Sequence, residues 1–391
     1  MKRYMRAAAV LFAVGLIATA CSTKKAATPG STLPTTIGPT EGSLKLIAWQ
    51  GYTEKGWVQP FETQTGCKVE IHYSDTSDDM VAQMRQGGGT VWDGVSASGD
   101  ATNRLITAGN VAEINPAMFP AFSNGDIMDL LKAPAHNTVN GHHYGVPYMW
   151  GGNLLMYNTQ KVKPAPTSWD ITWETNSPYK KKIVAYDSPI FIADAALYLK
   201  AHKPALGITN PYELTSTQLD AAIALLAQQH PMVGKYWALA SDEIDGFNNG
   251  SLVVGTSWPY NFNQLLTAKK PVAAIIPSEG ATGWADTWMM SSHAQHPNCM
   301  LKWMQYTLDP NVQAKVAEFY GASPSVKSAC PILVRLVGTK TANDAIHCAD
   351  ANVLSQLALW QTPVVACGDN RGNTCEDYST WTTRWQQVRG S

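Results

Sequence analysis

Two short stretches of this sequence have residue types and positions suited to chemistry: Trp49-Gln50-Gly51-Tyr52 and Ser98-Gly99-Asp100. Each follows a strand-like run and precedes a helix-like one. In doubly wound sheets, ligands sit beyond the carboxyl ends of the strands, where the loops enter the helices. An indole or phenol face attracts an ammonium group by its quadrupole, at about 0.5–2 kcal/mol per contact. A nearby carboxylate then holds the charged end by a charge-assisted hydrogen bond. Catalytic patterns are weaker. Gly255-Thr256-Ser257-Trp258-Pro259 lacks the last glycine of a nucleophile elbow. Neither a phosphate-cradling loop nor a dinucleotide fingerprint occurs, and Gly87-Gly88-Gly89 reads as a helix stop. His142-His143 point apart in any regular element and read as a turn beside Gly141. His293 and His296 have possible helical spacing but no acidic partner motif around them, and no cysteine pair has CxxC spacing. Neither a metal nor a cofactor is expected, and binding is expected rather than catalysis.

The elements that must position these residues follow from periodicity. Leu44–Trp49 alternates and then stays apolar, as a buried strand does. Gly56–Thr65 reads as a helix ended by Gly66, and Val69–Tyr73 as a second strand. Ser77–Gln86 reads as a helix with Ser77 as N-cap and with Asp78 and Asp79 placed to suit its dipole. Trp92–Val95 resumes as a strand. This order implies parallel pairing in an α/β sheet. A second set follows: strands at Leu154–Tyr157, Ile183–Tyr186, Ser251–Thr256, Pro271–Ile276 and Thr287–Ser291, with helices at Ala193–Ala201, Ser216–Gln229, Asn298–Thr307 and Val312–Tyr320.

The N-terminus reads as an export signal over residues 1–20. Lys2, Arg3 and Arg6 precede the uncharged run Ala7–Ala20, which is shorter than the roughly 20 residues of a membrane-spanning helix. Ala18-Thr19-Ala20-Cys21 resembles a bacterial lipobox, with Ala18 in place of the usual Leu, so Cys21 is the expected lipidation site. Residues 21–43 are poor in large apolar side chains and are expected to form a flexible tether. About 350 residues remain, enough for two domains. Without Lys2, Arg3 and Arg6 the formal charge goes from -1 to -4, which argues against nucleic acid. Six further cysteines, an even number in an exported chain, point to disulfides. Cys367 and Cys375 flank a polar loop and are placed to close it. Cys330 and Cys348 share one C-terminal stretch, which leaves Cys67 with Cys299. Spacing alone leaves the pairing open, with free buried thiols as the alternative.

From Leu44 to Arg389 the order of motifs resembles the periplasmic polyamine-binding family, the spermidine/putrescine-binding proteins of ABC importers. The resemblance is carried by Trp49-Gln50-Gly51-Tyr52, by Tyr144-Gly145-Val146-Pro147-Tyr148-Met149-Trp150-Gly151, by Thr167-Ser168-Trp169, and by Pro178-Tyr179-Lys180, where Lys181 replaces a Gly. Pro277-Ser278-Glu279-Gly280 and Trp284-Ala285-Asp286 complete it. The resemblance implies a two-lobed, type II periplasmic-binding-protein fold of the α/β class. Each lobe would be a mixed sheet flanked by helices, and a two-stranded hinge would join them. The lobes would be residues 44–149 plus 285–330 and residues 150–284 plus 331–391.

It further implies a ligand in the cleft between the lobes. Trp49, Tyr52, Trp258 and Trp284 fall on the family's aromatic wall positions, Asp286 on its amine-accepting carboxylate, and Ser98 and Gln361 on polar contacts. Ser188 and Phe191 stand where the family carries two more carboxylates, with only Asp187 nearby. Asp100 occupies an aromatic position and offers a relocated carboxylate; Ala322 replaces a Tyr. The expected ligand is therefore a polyamine or related small amine, with an amino acid such as 4-aminobutyrate or another small solute as the alternative. The expected partners are an ABC permease and its ATPase in the cytoplasmic membrane, with the protein as a lipid-anchored monomer at the outer face of that membrane or in the periplasm. An extracytoplasmic enzyme on the same scaffold is the alternative class.

Overall fold

Central β1 (Ser43–Ala48) is apolar on both faces because it is covered on both: Leu44, Leu46, Ile47 and Ala48 are fully buried in the computed structural model, which describes residues 33–390. Parallel neighbours β2 (Lys68–Tyr73) and β3 (Gly94–Ala97) flank it. The short hairpin β4 (Thr138–Val139) and β5 (His142–His143) turns at Asn140-Gly141, so the two histidines form a strand end rather than the turn itself. β6 (Val146–Gly152) leaves the first sheet, and β7 (Leu154–Asn158) enters a second. That sheet continues with β8 (Ile183–Tyr186), β9 (Val233–Trp237), β10 (Val254–Ser257) and β11 (Val272–Ile275). The chain returns to the first sheet by β12 (Ala281–Met290), β13 (Ser323–Pro324) and β14 (Leu357–Leu359).

The first sheet runs β13-β6-β12-β3-β1-β2 with β14 against β12; the second runs β11-β7-β10-β8-β9. Both are mixed. In the first, β12 is antiparallel to β3 and β6; in the second, β7 is antiparallel to β10 and β11. The fold is the expected two-lobed α/β architecture. Each lobe holds three neighbouring parallel strands, whose carboxyl ends open toward loops and helix starts. The C-terminal stretch serves both sheets: β14 extends the first, and the helix Tyr378–Arg389 packs on the second-sheet helix Ser216–Gln229.

Several expected details shift. The N-cap of the helix Ser77–Met84 is Thr76, whose hydroxyl accepts from the Asp79 N–H. Ser77, one residue inside, is free to point elsewhere. Gly87 and Gly88 end this helix with φ of 56° and 68°, a left-handed backbone that suits glycine. β12 begins at Ala281, so Trp284 and Asp286 lie within a strand instead of before one. His296, expected to lack an acidic partner, has Nδ1 2.8 Å from Oδ2 of the buried Asp93.

Cys21 and the signal-like segment 1–20 lie outside the described residues. The end of the expected tether is not loose. Gly38 N–H donates to Asn298 Oδ1, and the Glu41 carboxylate accepts from the N–H groups of Asn298 and Cys299. Glu41 thereby caps the helix Pro297–Thr307. Burial would raise its pKa, yet these N–H donors hold it below the usual range. Among the described residues no helix is long and apolar enough to cross a membrane.

All three cysteine pairs are bonded: Cys67–Cys299, Cys330–Cys348 and Cys367–Cys375. Cys67–Cys299 joins the start of β2 to the helix Pro297–Thr307 across 232 residues of sequence. Closing so long a loop removes much freedom from the unfolded chain. Replacing both Cys67 and Cys299 by Ser is expected to lower the unfolding free energy by about 2–5 kcal/mol, read from urea unfolding under non-reducing conditions.

Candidate functional site

Asp286 is built into the site by a strand irregularity. The register of β12 against β6 shifts between Ala285 and Thr287, as a bulge does, and such a bulge re-aims a side chain. The Asp286 carboxylate is buried and accepts two hydroxyl hydrogen bonds. Tyr52 Oη donates to Oδ2 at 2.6 Å, and Ser98 Oγ donates to Oδ1. Tyr52 follows β1 and Ser98 follows β3, so the two parallel-strand ends converge on one acid. Burial pushes the Asp286 pKa up to about 7, against the lowering effect of these two hydrogen bonds.

Aromatic side chains from both sheets enclose this carboxyl. Trp49, Ser98, Trp258, Trp284 and Asp286 line one small cavity together with Tyr320 and Trp360. Its volume is about 10 Å³, room for a single water. A second cavity of about 20 Å³ shares the Trp49, Trp258 and Tyr320 walls and is also lined by Gln50, Asp75 and Tyr260. Trp49 of the first sheet meets Trp258 of the second edge to face, with centroids 5.6 Å apart. Trp258 is held from behind by Trp237 at 4.7 Å and by Tyr186 at 5.0 Å. The two lobes are thus in contact through aromatic rings, and the cleft is shut. Trp49, Trp258, Trp284 and Trp360 each carry a buried indole N–H with no protein acceptor.

Five of the ten expected ligand contacts share the first cavity, and Tyr52 joins them through Asp286. The other four do not. Asp100 is fully buried but turned away: Ser77 Oγ donates to its Oδ1 at 2.8 Å, and it lies near Arg104. Burial raises its pKa to about 6. Asp187 is taken by Arg389, whose Nε and Nη2 approach its two oxygens at 2.9 and 3.1 Å. Ser188 is buried at the start of the turn Pro189–Phe191, whose Phe191 stacks on Trp173 at 5.6 Å. Gln361 accepts from Asn210 Nδ2 at 3.3 Å and lines a separate surface groove.

Sequence reasoning missed Tyr320, Trp360 and Asp75. In the extended segment after β14, neighbouring side chains point to opposite sides. Trp360 therefore faces the cavity, and Gln361 faces away. Tyr320 ends the helix Pro310–Tyr320, two residues before Ala322, and restores a phenol near the position where Ala322 lacks one. Outside the cleft, Asp170, His202 and Glu279 come together, with His202 Nε2 3.0 Å from Glu279 Oε1 and 3.6 Å from Asp170 Oδ1.

Three further contacts lie close to the returning strand β12 and the C-terminal segment. Asn153, between β6 and β7, donates from Nδ2 to Thr282 Oγ1 at 2.6 Å, and Thr282 Oγ1 donates to Asp194 at 2.9 Å. Gly99 packs so closely on the C-terminal segment that a Cβ there would lie 1.8 Å from the Trp360 carbonyl oxygen.

Comparison with known proteins identifies the family. The model for bacterial extracellular solute-binding proteins matches residues 56–337. The chain belongs to that family. The spermidine/putrescine-binding periplasmic protein of Escherichia coli K12 is 24% identical over 326 residues, which cover 83% of this chain and 88% of that protein. A putrescine-binding periplasmic protein of Pseudomonas aeruginosa is 26% identical over 292 residues, covering 70% and 76%. The solved structure of a protein described as a putative spermidine/putrescine ABC transporter from Listeria monocytogenes superposes with a TM-score of 0.72. It is 18% identical and covers 89% of this chain and 99% of its own. This solute-binding protein therefore shares the fold of that structure.

Buried carboxyl groups give the closed form a pH signature. Burial pushes Asp286 and Asp194 up to about 7 and Glu243 up to about 8. Above the ordinary carboxylate range, the folded chain holds protons that the unfolded chain has released. This stability is full at low pH and is lost as pH rises through the folded-state values. Thermal melting of the ligand-free solute-binding protein is expected to fall from pH 6 to pH 8, by of order 1 kcal/mol per carboxyl. Asp286→Asn should make that fall shallower.

Proposed function

We propose that this protein captures a small amine outside the cytoplasmic membrane and delivers it to an ABC permease driven by its ATPase. The observation that carries the reading is the arrangement around Asp286: a buried acid held by Tyr52 and Ser98 and walled by Trp49, Trp258 and Trp284 from both sheets. A carboxylate stripped of water is costly unless it is paired. An ammonium group offsets that cost by direct contact while its methylenes lie on indole faces. The names of the E. coli and P. aeruginosa relatives, which refer to spermidine and putrescine, support an amine.

Capture requires the two lobes to part and close again, since the cavities are too small to admit a solute as they stand. The crossings β6–β7 and β11–β12, with Asn153, Thr282 and Asp194 between them, are the proposed hinge. The lipid anchor is proposed at Cys21, with the protein acting as a monomer.

Isothermal titration of the mature protein with amines tests the reading. Asp286→Asn is expected to weaken amine binding by about 2–5 kcal/mol. Affinity for the amine should rise between pH 6 and pH 8, as Asp286 loses its proton. A solute without an ammonium group binding tightly, with amines inert, would sink the proposal.

A further inference from the structure

Charge is missing from the second lobe where the polyamine-binding pattern supplies it. Asp187 is neutralised by Arg389, and the positions at Ser188 and Phe191 carry no charge. The cleft nevertheless has a second carboxylate. Asp75 lines a cavity that shares its Trp49, Trp258 and Tyr320 walls with the Asp286 cavity, so the two cavities adjoin the same rings. Asp286 sits at the buried end, and Asp75 is exposed at the mouth, just before the helix Ser77–Met84.

Asp75 is also short of positive charge. Among the described residues it forms no ion pair, whereas its acidic neighbours have partners: Asp79 Oδ2 lies 3.3 Å from His72 Nε2 in a hydrogen-bond contact, and Asp242 pairs with Lys235 at 3.1 Å. Partial burial disfavours the charged form of Asp75 most, and Asp79 from the first lobe and Asp242 from the second add a like charge that His72 opposes. A cation at the mouth would relieve that repulsion while the lobes close.

Resting on the proposed capture of an amine, we infer that Asp75 is the second acidic anchor of the cleft, holding the outer ammonium of an elongated solute whose inner ammonium meets Asp286. Asp75 is then a specificity-determining residue: it favours solutes with a second cationic end over monoamines of equal length. Its place on the first lobe puts both anchors on one side of the hinge. Closure of Trp258 from the second lobe then covers the methylene chain between them.

The test titrates the unsubstituted protein, Asp75→Asn and Asp286→Asn with unbranched diamines of three to six carbons and with the matching monoamines. For Asp75→Asn, the best diamine should weaken at least tenfold while monoamines stay within twofold. Asp286→Asn should weaken both classes. The preferred diamine length reports the separation of the anchors. Equal weakening of both classes by Asp75→Asn, or weakening of neither, overturns the assignment. So does tighter binding of an ω-amino acid than of the diamine of the same length, an outcome in which the acceptor-less indole N–H groups would hold the carboxylate. If the unsubstituted protein binds no amine at all, the failure lies with the receptor reading rather than with Asp75. The melting temperature of ligand-free Asp75→Asn, expected to equal or exceed the parent's because the like-charge repulsion is relieved, separates lost binding from lost folding.

Discussion

Asp286 is an acid without bulk water, and much of the cleft is arranged around that fact. Burial raises its pKa to about 7, so near neutrality the group is balanced between neutral and charged forms. Two hydroxyl donors orient it, and four indoles and a phenol exclude water from around it. In such surroundings a small input of positive charge has a large effect, because the unpaired ion is expensive and the paired one is not. The same exclusion of water that makes an unpaired carboxylate reluctant to ionise strengthens its attraction for a cation.

The sheets exist to bring those groups together. Tyr52 and Ser98 come from adjacent parallel strands, and Asp286 comes from the antiparallel strand that returns from the other lobe. A single strand, β12, thus carries the carboxylate and also Thr282 of the proposed hinge. The close approach of Gly99 to the Trp360 carbonyl and the Trp49–Trp258 contact show how little space the closed arrangement leaves. Packing this tight favours discrete open and closed states over continuous deformation.

Much of the framework could be read directly. The apolar run of β1, the alternation of β2 and the helix stop at Gly66 have local causes, and β8 has the expected bounds. The bonded cysteines are those that chain order suggested. The helix cap slipped by one residue because Thr76 and Ser77 are both good caps, and only the fold decides that Ser77 is wanted by Asp100. Trp360 was missed for its neighbour Gln361, since alternation tells which residues share a face but not which face meets the cleft.

Sequence by itself determined the elements, the order of the two α/β halves and the residue types available to a cleft, because periodicity and turn chemistry are local properties. Tertiary structure alone decided which acids remain available. Asp187 is cancelled by Arg389 from 202 residues away, Asp100 is turned toward Ser77, and Asp75 is set beside Trp49 and Trp258. A carboxylate's worth to a ligand depends on its burial and on what already pairs with it. Both are set by groups distant along the chain, so no stretch of sequence around the acid itself carries the answer.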